Sequence, residues 1–123
     1  MIRGTVRSQE ARIKLKVRGP HRREREIDAI IDTGFTAFLT LPRNVIEATK
    51  LRWHSMERGT LGDGSECLFD VYEATVVWDR TIRRILVAES EAVPLVGMEL
   101  LEGYELNVQV REGGKVTIRR FEE

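Results

Sequence analysis

Apolar and polar residues alternate with a period of two along most of the chain, the signature of half-buried strands rather than helices. Ile13, Leu15 and Val17 alternate with Lys14, Lys16 and Arg18. Gly19-Pro20 breaks that run, and His21 to Arg25 reads as a charged hairpin loop. A second strand is predicted from Glu26 to Asp32, alternating at Ile27, Ala29 and Ile31. Phe35 to Leu41 suits a short strand, and Pro42 to Lys50 a short helix with proline in its first turn. Trp53 to Leu61 and Glu66 to Trp78 predict a long hairpin tipped by Gly62-Asp63-Gly64-Ser65, since Asp-Gly between strand-like runs favours a type I′ turn. Thr81 to Ala88 reads as a strand, Glu89 to Val93 as loop, Pro94 to Gly97 as a short apolar segment, and Met98 to Gly103 as a brief helix ending on glycine. Tyr104 to Val110 and Lys115 to Phe121 are predicted strands joined by Glu112-Gly113-Gly114. The expectation is an all-β chain of about eight strands and one or two short helices, folded as a small, closed, mostly antiparallel barrel in a single domain over residues 1–123.

Composition adds a core and removes several function classes. Hydrophobic residues make up 41% of the chain and charged residues 33%, with 20 Lys plus Arg against 20 Asp plus Glu. A zero net charge argues against a domain built to hold nucleic acid, and the hydrophobic fraction argues against disorder. The balance is uneven, however: residues 1–25 carry nine Lys/Arg and two Glu, a positive excess of seven that residues 26–123 offset. Such a split can draw two copies of a chain together. The longest apolar runs, such as Ile85 to Ala88, are too short to span a bilayer, so no membrane partner is expected. The charged start lacks a secretory h-region, and the single Cys67 permits no internal disulfide, so a cytoplasmic setting is expected.

Most catalytic signatures are missing. There is no Gly-x-Ser-x-Gly elbow and no phosphate-binding glycine loop before a helix, and His21 and His54 form no paired ligand set. No metal or other cofactor is expected. What remains is Asp32-Thr33-Gly34 directly after the apolar strand: Gly34 allows a sharp turn, Thr33 offers a hydroxyl to lock it, and Asp32 points a carboxylate out of apolar surroundings. Alone, this tripeptide is an ordinary turn sequence.

Its context is more specific. The strand into Asp32-Thr33-Gly34, the segment ending Leu41-Pro42, the glycine-tipped hairpin at Asp63-Gly64, and Leu95-Val96-Gly97 leading into Met98-Glu99-Leu100-Leu101 occur in that order. From about Glu24 to Val110 the chain resembles the retropepsin-like (retroviral-type) aspartic proteases of the pepsin clan. The resemblance implies an acid-protease barrel and peptide hydrolysis by a water held between two carboxylates that share one proton. It implies Asp32, Thr33 and Gly34 as the catalytic loop, Gly62, Asp63, Gly64 and Ser65 as the flap, and Phe35, Thr36, Val96 and Gly97 beside the substrate. One Asp-Thr-Gly in 123 residues is half of such a site. An active enzyme is therefore expected to be an obligate homodimer acting on a peptide or protein, with one Asp32 from each copy at the two-fold axis.

The sequence departs from that pattern at three places. Phe35 stands where the family has a small residue and cannot hydrogen-bond the carboxylate as a serine would; Thr36 stands where it has an acid, and Met98 where it has an arginine that ties the dimer together. Met1 to Val6 and Lys115 to Phe121 are then the candidates for an intersubunit sheet. The departures keep a second reading open, a non-catalytic module of the same fold that binds an extended peptide or a partner protein. A third, an unrelated barrel binding nucleic acid through its basic start, lacks a pattern of stacking aromatics.

Overall fold

A computed structural model describes residues 1–60 and 63–121 of the chain. Among them ten strands share one sheet: β1 Ile2–Arg7, β2 Glu10–Arg18, β3 Glu24–Ile31, β4 Leu39–Leu41, β5 Arg52–Thr60, β6 Glu66–Trp78, β7 Thr81–Glu89, β8 Leu95–Val96, β9 Tyr104–Val108 and β10 Lys115–Arg120. Two short helices, α1 Arg43–Thr49 and α2 Met98–Leu101, and a 3-10 turn at Pro20–Arg22 complete the described elements. The strand order is β5-β6-β7-β4-β8-β3-β2-β1-β10-β9. A further pairing of β6 with β2, through Lys16↔Val77, Val17↔Val76 and Arg18↔Thr75, bends six of these strands into a ring. β5 extends from the ring at β6, and β1, β10 and β9 extend from it at β2. The chain is all-β as expected, and mostly antiparallel; β3–β8 and β4–β7 are the parallel pairs.

The alternation read from the sequence is what the ring uses. Ile13, Leu15 and Val17 point inward and are almost completely buried, while Lys14 and Lys16 face solvent. They meet Val76 and Trp78 of β6, Ile85 and Val87 of β7, Leu39 and Leu41 of β4, and Val96 of β8 in one core. Trp78 is fully buried and packs edge-on against Tyr104, with ring centroids 5.8 Å apart and planes at 83°.

Several boundaries differ from those the sequence predicts. β1 and β8 are strands in addition to the expected set, and β3 begins at Glu24, because Pro20 to Arg22 alone makes the turn. Only Leu39–Leu41 of the Phe35–Leu41 segment is strand; the residues before it are committed to the loop described below. α2 is one turn long and β9 stops at Val108. Two tight hairpins turn on non-glycine residues with positive φ, Ser8 (52°) with Gln9 (63°) and Asp79 (48°) with Arg80 (67°), so the usual Asn-Gly or Asp-Gly signal is missing there.

The expected intersubunit pairing of the terminal segments is corrected. β1 pairs antiparallel with β10 of the same chain, Ile2↔Ile118 through Thr5↔Lys115, and with β2 on its other side. Those hydrogen-bonding edges are occupied within the chain. The strand left at that end of the sheet is β9. The N-terminal cations are likewise partly matched internally. Arg12 reaches Asp28 at 2.8 Å and also pairs with Glu10, Arg7 reaches Asp28 at 3.3 Å, and Arg18 reaches Glu24 at 2.7 Å. The Arg18 hydrogen bond, with smaller Coulombic help from Arg18 and Lys16, holds the Glu24 carboxyl below its usual range.

Leu39 is fully buried and sits where β4 meets both β7 and β8. Truncating it leaves a cavity at that junction, so Leu39→Ala is expected to lower stability by about 2–5 kcal/mol. A urea titration checks this: the midpoint should fall with an unchanged slope.

Candidate active site

The Asp32 loop is held by a backbone crossing. β8 runs parallel to β3 (Ile30↔Leu95, Ile31↔Val96) and meets β4 at Leu39↔Val96 on its other side. The Ile30 amide donates to the Pro94 carbonyl and the Asp32 amide to the Val96 carbonyl, each at 2.9 Å. From the other direction, Gly97 N–H donates to Phe38 O at 2.9 Å, Met98 N–H to Phe35 O at 2.8 Å, and Glu99 N–H to Ala37 O at 3.3 Å. The buried Thr40 hydroxyl accepts from the Leu95 amide at 2.9 Å. Residues 32–38 are thus stitched to residues 94–99 by main-chain bonds.

Gly97 is what allows the crossing. A Cβ on Gly97 would lie 2.1 Å from the Ala37 carbonyl oxygen and 2.6 Å from the Phe35 ring. The first of these is backbone and cannot swing aside, so glycine here is a steric requirement.

Within the loop, Phe35 N–H donates to the Asp32 carbonyl at 3.1 Å, and Gly34 N–H donates to Asp32 Oδ1 at 2.9 Å. The Asp32 carboxylate is therefore oriented by its own turn. Asp32 is half-buried, while Thr33 and Gly34 are exposed at the crest. Among the described residues no Lys, Arg or His lies within ion-pairing distance of Asp32.

The other site residues fall in different places. Phe35 is half-buried against Gly97, and Thr36 is exposed. Thr33 and Thr36 open onto a recess of about 450 Å³ whose apolar side is formed by Met98, Leu101, Tyr104 and Leu106. Val96 and Gly97, expected beside the substrate, are both buried and bond to the Asp32 loop through their main chain. Of the expected flap, Gly62 lies outside the described residues. Asp63 accepts from the Ser65 amide at 2.9 Å and the Ser65 hydroxyl at 2.6 Å, closing the turn at the far end of the β5–β6 hairpin. Those two bonds, the hydroxyl first, hold the Asp63 carboxyl below its usual range. They favour the turn above the ordinary carboxylate range and are lost as the pH falls through the depressed value.

Arg83 is a residue the sequence did not signal. From β7 it donates to the Leu100 carbonyl at 2.9 Å and lies over the Phe38 ring, 5.9 Å from its centroid. One guanidinium thereby ties α2 to the segment before β4. Its strand neighbour Arg84 is exposed, and alternation alone does not say which of two adjacent arginines turns inward.

Neither a protein-family model nor a curated protein matches the chain. Among solved structures, the chain is similar to the EIAV protease complexed with the inhibitor HBY-793. The two share 13% sequence identity over 77% of this chain and 88% of that one, with a TM-score of 0.59. The likeness is one of fold: this chain has a retropepsin-like fold.

Gly97→Ala is expected to cost about 3 kcal/mol or more, at the upper end of overpacking, because the new methyl group meets a carbonyl. Thermal unfolding of the variant beside the parent chain checks it; a midpoint within a degree or two would show that the crossing can relax.

Proposed function

We infer that the chain is one subunit of an aspartic endopeptidase, active as a homodimer in which two copies of Asp32 share one proton. The observation that carries this reading is the Asp32 carboxylate itself. It stands at the end of an apolar strand, is oriented by the Gly34 amide, and has no cation beside it among the described residues. Two such carboxylates brought together cannot both ionise easily and titrate as a pair. The ionised one takes a proton from a water molecule, and the water oxygen bonds to the peptide carbonyl carbon. The protonated one gives its proton to the carbonyl oxygen. Collapse of the resulting diol breaks the C–N bond as a proton passes to the leaving amine. Asp63 to Ser65, at the far end of the β5–β6 hairpin, belong to the flap that closes over the substrate and excludes water.

The dimer contact follows from what the fold leaves open. The β9 edge, Tyr104–Val108, lies at the end of the sheet, and the recess carrying Met98, Leu101 and Leu106 lies beside Thr33. Met98, where the family pattern has arginine, is 46% exposed and apolar, which suits burial against a second copy rather than a charged tie. A second copy seated on this recess brings two Thr33–Gly34 crests, and with them two Asp32, to one axis. Phe35 supports the alternative of a peptide-binding module without turnover, because its ring cannot bond the carboxylate.

Asp32→Asn is expected to abolish cleavage of a denatured protein substrate while leaving the circular dichroism spectrum and unfolding midpoint within experimental error of the parent. Cleavage that persists in the variant excludes this mechanism, and peptide binding without turnover in the parent supports the module. Leu106→Glu is expected to place a charge in the dimer contact. Sedimentation should then report a monomer, and specific activity should fall at least about tenfold at equal chain concentration, corresponding to 1.4 kcal/mol or more of lost association.

A further inference from the structure

A second recess, of about 430 Å³, is lined by residues of β2, β5, β6 and β7 with Phe38, and by none of the residues from Asp32 to Thr36. Strand register explains its charge. Arg52 stands opposite Glu73 and Glu73 opposite Leu86, while Arg18 stands opposite Thr75 and Thr75 opposite Arg84. Directly opposed residues share a face, and so do residues two apart on β6. Arg18, Arg52 and Arg84, carried by three different strands, are therefore gathered on one face around Glu73 and Thr75. His54 joins them through a bulge: the register shifts between Trp53 and Ser55, leaving His54 as the extra residue, and a bulge re-aims the side chain it carries.

Two of the three arginines have no acidic partner among the described residues. Arg18 pairs with Glu24, but among the described residues neither Arg52 nor Arg84 has an acidic group within ion-pairing distance, and Glu73 is the only acid lining the recess. The lining also has an apolar part, with Phe38 half-buried and Leu86 39% exposed. Arg52 and His54 belong to β5, the strand at the other end of the sheet, whose outer main-chain groups are unpaired in the sheet order.

We propose that this recess binds an acidic peptide segment carrying apolar side chains. Guanidinium forks match carboxylates bidentately, Leu86 and Phe38 take the apolar side chain, and the β5 edge hydrogen-bonds an extended peptide backbone. A nucleic-acid strand would use the cations but not the sheet edge, and Phe38 already carries Arg83 on its ring. The site does not depend on the protease reading.

The test uses the full chain bearing Asp32→Asn, so that no probe is consumed and catalysis plays no part. Anisotropy is read for a labelled peptide alternating glutamate and leucine, and for its counterpart with glutamine in place of glutamate. The acidic peptide should bind, with an affinity that falls as salt rises, and the glutamine peptide should bind at least about tenfold more weakly. Adding Arg52→Gln and Arg84→Gln should lose at least about tenfold in affinity. Glu73→Gln should instead tighten binding, a gain that misfolding cannot produce. Equal binding of the two peptides, no change in the double arginine variant, or displacement of the peptide by a lower concentration of a single-stranded oligonucleotide would each overturn the proposal.

Discussion

The structure depends on one close approach of two stretches of backbone. Residues 94–99 pass beneath residues 32–38 with the Gly97 Cα so near the Ala37 carbonyl that no side-chain carbon fits between them. The contact is short because main chain must bond to main chain on both sides of β8, through Asp32 and Val96 on one side and Gly97 and Phe38 on the other. It converts an exposed turn into a rigid one. A loop held only by its own Asp32–Gly34 bond would sample many arrangements; one pinned at both ends presents its carboxylate in one direction. The ring of strands, the buried Leu39, and Arg83 bridging to α2 all brace this crossing.

Much of this was legible in the sequence because the relevant periods and punctuation are local. The Ile13-Leu15-Val17 alternation, the apolar run into Asp32-Thr33-Gly34, and Val96-Gly97 before a short helix are patterns a few residues long. What escaped was set by distant partners. β1 reads poorly as a strand because Gly4 interrupts its apolar positions, yet a Cβ there would lie 1.9 Å from the Arg12 carbonyl of β2. Two residues, Leu95 and Val96, are too few to announce a strand, and they form one only because β3 and β4 flank them. Phe35 to Phe38 have strand composition but are drawn into the crossing.

Charge shows the same division between local and distant. The surplus of cations in residues 1–25 is visible at once, but its meaning depends on pairing. Register sets Arg18 against Glu24 of β3, while Arg12 crosses to Asp28. The remaining cations become a feature only where folding assembles them. Arg52 and Arg84 are separated by most of the β5–β6–β7 meander in sequence, and neither is notable by itself. Gathering them around Glu73 requires two strand registers, and bringing His54 beside them requires a bulge.

The insertion of β1 between β2 and β10 also bears on the order in which the chain can be completed. Ile2 pairs with Ile118, so β1 is synthesised well before the strand it pairs with, β10. Until β10 emerges, β1 has a neighbour on one side only, and Ile118 and Val116, both fully buried in the finished fold, are missing from the core. The ring of six strands lacks that dependence, since its last member, β8, precedes β9 and β10 in the chain. Synthesis thus favours a closed ring first and a completed outer sheet afterwards, with an unsatisfied strand edge exposed in the interval.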